Sequence, residues 1–71
     1  MEGTVKWFNR TKRFGFILRT HGKPDVFAHG SEIEAGRPLY QGDTVEFEMG
    51  QDNQARPKAV HIRVIRPARA R

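Results

Sequence analysis

The 71-residue chain is long enough for one small domain, and without cysteine neither disulfides nor thiolate-bound metal can hold it together. No apolar run approaches the roughly 20 residues that span a bilayer. Met1-Glu2-Gly3-Thr4 is neither a basic nor an apolar export segment, so a cytoplasmic location is expected.

Thr4-Val5-Lys6-Trp7-Phe8 is rich in β-branched and aromatic residues and predicts a first strand. The polar Asn9–Arg13 stretch predicts a turn, followed by a second strand over Phe14–Leu18. His21-Gly22-Lys23-Pro24 predicts another turn before a third strand, Asp25–His29. A mixed segment runs from Gly30 to Asp43, with room for a short helix around Ser31–Ala35. Val45–Met49 alternates cleanly as a fourth strand. After the turn Gly50–Gln54, a fifth follows Pro57 with Val60, Ile62 and Val64 on one face. Pro67–Arg71 reads as a short basic tail, which divides the chain into a domain over residues 1–66 and a tail over 67–71.

Five short strands left as an open sheet would wet too much apolar surface, so closure into a barrel is expected. The fold class is all-β: a five-stranded antiparallel Greek-key barrel (OB-fold), with a small SH3-like barrel as the alternative. Alternation assigns Ile17, Val26 and Ala28 to the core, together with Ile33, Leu39, Val45, Phe47, Met49, Val60, Ile62 and Val64. It leaves Phe14, Phe16, Phe27 and His29 on the outer face of adjacent strands. The same rule turns Trp7 inward and Phe8 outward, unless a bulge reverses them, so periodicity alone leaves Trp7 unassigned.

Charge sharpens the functional reading. Thirteen Lys and Arg against eight Asp and Glu give a net charge of +5. All of the bases but Arg37 fall in two acid-free blocks, Lys6–Lys23 and Arg56–Arg71, while all but one of the acids lie from Asp25 to Asp52. Such sorting favours a polyanionic partner. Exposed rings flanked by Lys6, Lys12 and Arg13 combine base-stacking surfaces with phosphate-binding cations, the pairing that single-stranded nucleic acid requires.

Three blocks, Gly3–Asn9, Lys12–Ile17 and Asp25–His29, resemble the cold-shock domain family over nearly the whole chain. The second is similar to its Lys-Gly-Phe-Gly-Phe-Ile motif and the third to its Asp-Val-Phe-Val-His-Phe motif. The resemblance implies an OB-type barrel that binds single-stranded RNA and DNA, with some pyrimidine preference. It further implies an RNA chaperone or a regulator of transcription or translation, tied to stress response. It places Trp7 on the binding face and implies a contact set of Lys6, Trp7, Lys12, Phe14, Phe16, Phe27 and His29, with Phe8 and Asp25 as minor members.

Three positions depart from the family pattern. Arg13 replaces a glycine, Gly30 replaces an aromatic, and Gly36-Arg37-Pro38 stands where a loop aromatic is usual. Arg56 and Lys58 replace neutral residues and are expected as additional phosphate contacts. Binding is therefore expected to lean on charge and to be salt-sensitive.

Other classes find little support. His29, Ser31 and Glu32 are neighbours, but nothing marks Ser31 as an activated nucleophile, so no enzyme is expected. His21, His29 and His61 lack metal-ligand spacing. No cofactor, small-molecule substrate or membrane partner is expected, and the Arg-rich tail lacks an apolar face. The rival reading is an OB-like module whose main partner is a protein. A monomer is the expected state, with a strand-exchanged dimer as the alternative.

Overall fold

The strands are β1 (Glu2–Asn9), β2 (Phe14–Leu18), β3 (Val26–His29), β4 (Thr44–Gln51) and β5 (Pro57–Arg66), with a 3₁₀ turn, Gly30–Glu32, after β3. The computed structural model describes residues 1–20, 22–34 and 37–68. His21, the end of the expected short helix at Ala35, the Gly36 departure and the tail residues Arg69–Arg71 lie outside the described residues.

The strands close into a barrel in the order β1-β2-β3-β5-β4. Its β1–β2, β2–β3, β1–β4 and β4–β5 seams are antiparallel. The fifth seam is a short parallel pairing of Phe27 with Lys58 and Ala28 with Ala59. That seam lets strands distant in sequence meet without an open edge. The interior is filled by Val5, Ile17, Val26, Ala28, Ile33, Leu39, Val45, Phe47, Ala59 and Ile62, all buried.

Bulges bend the long strands, and two of them correct the expected alternation. In β1 the register slips between Val5 and Trp7, because Val5 pairs with Ile17 and Trp7 with Phe16. Lys6 is the extra residue, so Trp7 turns out, at 39% exposure, and Phe8 turns in to pack against the core. In β5, Arg63 pairs with Glu46 but Val60 with Glu48, which leaves His61 and Ile62 opposite Phe47. His61 takes a left-handed backbone, φ 52°. The bulge allows Ala59 and Ile62, three apart, both to face the core. Val60 and Val64, expected in the core, are half-buried, and Met49, near the end of β4, is 37% exposed.

The loop leading into β4 is tied down by Asp43, the one buried charged residue among those described, at 1% exposure. Its Oδ2 accepts the Tyr40 amide at 3.0 Å and its Oδ1 the Ala68 amide at 2.8 Å. Its backbone carbonyl accepts the Val5 amide at 2.8 Å, and the Val5 carbonyl in turn accepts the Gly42 amide. One carboxylate therefore joins the loop and the segment after β5, beside backbone bonds to β1. Asp43→Ala strands these amide donors and is expected to cost about 1–3 kcal/mol. The melting temperature should fall by at least about 4 °C, and less for Asp43→Asn, which keeps an acceptor. Thermal unfolding followed by circular dichroism checks this; an unchanged midpoint in Asp43→Ala would contradict it.

Candidate nucleic-acid interface

Strands β1, β2 and β3 lie side by side, and their outward residues form one surface. Phe16 sits between Trp7 and Phe27 in the ladder, and Phe14 pairs with His29. Trp7 lies 5.4 Å from Phe16 and 5.7 Å from Phe14, ring centroid to centroid. Phe27 lies 5.8 Å from Phe16, 6.0 Å from Phe14 and 6.5 Å from the His29 imidazole. These separations fall in the range of favourable aromatic pairs, so neighbouring rings hold one another in place. Gly15 permits the close approach of β1 to β2, since a Cβ there would collide with the Trp7 carbonyl oxygen.

His29 also ends β3. Its Nδ1 accepts the Ser31 amide at 3.1 Å and lies 2.9 Å from Ser31 Oγ, capping the 3₁₀ turn. That leaves Nε2 to carry the proton of the neutral ring. Ser31 is therefore engaged as a capping partner. On the β1–β2 side, Asn9 Oδ1 accepts the amides of Thr11 and Lys12, at 3.0 and 2.9 Å. The turn carrying Lys12 and Arg13 is thereby fixed against the edge of the strip.

The cations divide into two groups. Lys6 is paired with Asp25 (3.0 Å), Arg56 with Asp52 (2.8 Å) and Lys58 with Glu32 (3.5 Å). Lys12 and Arg13 are exposed and make no ion pair among the described residues. Arg13 instead donates from Nη2 to the Gly30 carbonyl at 3.3 Å.

The structure gathers Lys6, Trp7, Phe14, Phe16, Asp25, Phe27 and His29 on or beside one face, with Lys12 and Arg13 on the turn next to it. Phe8 is removed to the core side, and Lys58 is half-buried against Glu32. Sequence reasoning missed Asp52 and Pro57, which line a shallow groove with Phe16, Phe27 and Arg56. The i, i+4 spacing of Asp52 and Arg56 was the available signal. It also missed Arg10, whose guanidinium carbon lies 5.0 Å from the Tyr40 ring centroid, a cation–π contact.

A five-stranded barrel with outward-facing rings on three adjacent strands, Trp7 and His29 exposed and Phe14, Phe16 and Phe27 half-buried, and with cations around them, defines an OB-type binder of single-stranded nucleic acid. The profile of the 'Cold-shock' DNA-binding domain matches residues 1–65. The chain is 47% identical over 66 residues to probable cold shock protein A of Mycolicibacterium smegmatis, covering 90% of this chain and 97% of that one. It is 46% identical over 67 residues to cold shock-like protein CspC of Escherichia coli K12, covering 92% and 96%. Against cold shock domain-containing protein 4 of Arabidopsis thaliana the identity is 46% over 63 residues, 86% of this chain but 31% of that protein. A solved structure of drosophila Unr CSD456 superposes with a TM-score of 0.73 at 25% identity, over 99% of this chain and 28% of that one. The protein belongs to the cold-shock domain family.

Asp52 gives the groove a pH dependence. Its Oδ1 accepts the amides of Arg56 (2.9 Å) and Gln54 (2.8 Å), and its Oδ2 accepts Arg56 Nε at 2.8 Å. The Arg56 amide is the largest influence holding its carboxyl below the ordinary 3.8, with the Gln54 amide and the Arg56 side chain adding to it. A depressed folded-state value means that the loop's stabilisation is complete above pH 3.8 and is lost as pH falls through the lower value. The amide resonances of Gln54 and Arg56 should titrate together with a midpoint below 3.8, and Asp52→Asn should abolish that step. A midpoint at or above the ordinary value would contradict the arrangement.

Proposed function

We propose that the protein binds unpaired RNA and DNA by laying bases on Trp7, Phe14, Phe16, Phe27 and His29. Lys12 and Arg13, aided by Lys6 and Arg56, hold the phosphates. The observation that carries this is the outward cluster of rings on three adjacent strands, with neighbouring centroids 5.4–6.5 Å apart. A base resting on a protein ring must offer a free face. In a duplex those faces are covered by neighbouring bases, so the surface selects single strands. In this reading Asp25, at the margin and bound to Lys6 through Oδ2, accepts hydrogen bonds from base edges.

The action needs no chemistry. A protein that prefers unpaired strand shifts base-pairing equilibria toward the open form by mass action. This supports the role of an RNA chaperone in the cytoplasm, or of a regulator of transcription or translation, acting as a binder without catalysis. One chain supplies every ring of the strip, so a monomer suffices, with residues 1–66 as the binding domain and 67–71 as an appended basic tail.

The ion pairs temper the salt sensitivity expected from composition. A phosphate arriving at Lys6, Arg56 or Lys58 competes with Asp25, Asp52 or Glu32, so its capture releases less bound counterion than capture by a free cation. Lys12 and Arg13 carry most of the electrostatic gain.

Titration of Trp7 fluorescence with a short pyrimidine strand should give quenching that persists at moderate salt, with little response to the matched duplex. Phe16→Ala or Phe27→Ala should each weaken binding by about 1–3 kcal/mol, roughly 5- to 150-fold. If no strand binds, by quenching or by an independent assay, the nucleic-acid reading falls and a protein partner takes its place.

A further inference from the structure

Arg13 stands out because its backbone, its side chain and its neighbour are all unusual. Its φ is 59°, in the left-handed region that a bulky residue avoids. The strain is held by two short backbone bonds: the Arg13 amide donates to Asn9 (2.7 Å) and the Arg13 carbonyl accepts the Gly30 amide (2.7 Å). This rung lies immediately beyond the Phe14·His29 pair, at the end of the ring strip. The Arg13 side chain folds across Gly30. A Cβ on Gly30 would lie 2.7 Å from Arg13 Nε and 3.0 Å from its Cβ and Nη2. Gly30 is buried while Arg13 is exposed. The two residues are therefore fitted to each other, with the bare Cα of Gly30 forming the seat for the arginine.

Resting on the single-strand reading above, we propose that the Arg13–Gly30 pair is a phosphate-binding subsite at the end of the ring strip, with Gly30 positioning the guanidinium and Arg13 engaging the phosphate. Only a neutral carbonyl is bound to the guanidinium, through Nη2, so its charge is not cancelled by an acid among the described residues. The remaining donors of the planar fork match the paired oxygens of a phosphate. Lys6 and Arg56, in contrast, must give up a carboxylate before they can do the same.

The test measures affinity for a short pyrimidine DNA strand, through Trp7 quenching, across a series of salt concentrations. Four proteins are compared: the natural sequence, Arg13→Gly, Gly30→Ala and the double variant. Glycine suits the left-handed backbone at position 13, so Arg13→Gly keeps the turn. Its plot of log affinity against log salt should be shallower by about 0.7, the contribution of one phosphate contact on a single strand. Gly30→Ala leaves the charge in place but pushes the guanidinium aside, and should weaken binding in the same direction. Added to Arg13→Gly, it should cause no further loss. Melting curves confirm that each variant is folded at the assay temperature. An unchanged salt slope in Arg13→Gly overturns the phosphate contact. A Gly30→Ala effect that is absent, or undiminished in the double variant, overturns the positioning role. Failure of the natural sequence to bind any single strand is a different result, and refutes the reading on which the subsite rests.

Discussion

A five-stranded barrel of this size closes only if its long strands bend, and in β1 and β5 the bends are bulges at Lys6 and His61. The site depends on the first of them. Without the extra residue at Lys6, alternation would bury Trp7 and send Phe8 to the surface, and the strip would lose the ring that Phe14 and Phe16 pack against. With it, Lys6 and Trp7 both reach the outer side, and Phe8 joins the core in exchange. One local irregularity thus settles barrel curvature, core composition and the width of the aromatic surface together.

Charge is arranged with the same economy of position. Asp25, Glu32 and Asp52 come from three separate loop or turn segments, yet each meets a base at the margin of the ring-bearing face. Exposed pairs of this kind contribute little to stability. Their stronger effect is on the surface potential, since they mute Lys6, Arg56 and Lys58 and leave the turn after β1 as the positive end of the strip. A strand approaching the face therefore meets a gradient along it, from paired cations near the β4–β5 loop to unpaired ones at Lys12 and Arg13.

Much of this was legible from residue order. β2 begins at Phe14 and ends at Leu18, as the turn residues around it require, and period-two alternation is enough to put Phe14, Phe16, Phe27 and His29 on one face. What alternation cannot register is an inserted residue, which leaves the same letters in the same order. Periodicity therefore leaves Trp7 unassigned, and it selects Val60 for the core where the fold buries Ala59. The family motifs place Trp7 because they carry the bulge implicitly, but they also keep Phe8 as a contact, which its packing against the core does not support. The ion pairs were hidden for a different reason: Lys6 and Asp25 are 19 residues apart, and only the β1–β2–β3 register brings them together.

The departures at positions 13 and 30 look independent in sequence, one adding a cation and one removing a ring. In the fold they occupy the same volume. A side chain at 30 would strike the arginine, and without the arginine the backbone at 30 would be uncovered. Each substitution is therefore most easily accommodated in the presence of the other, and the pair changes the chemistry offered at the end of the strip without disturbing the rungs behind it. That separation is possible because Phe14, Phe16 and Phe27 are braced by one another and by a closed barrel, so the margin of the surface can exchange stacking for charge while its centre keeps its geometry.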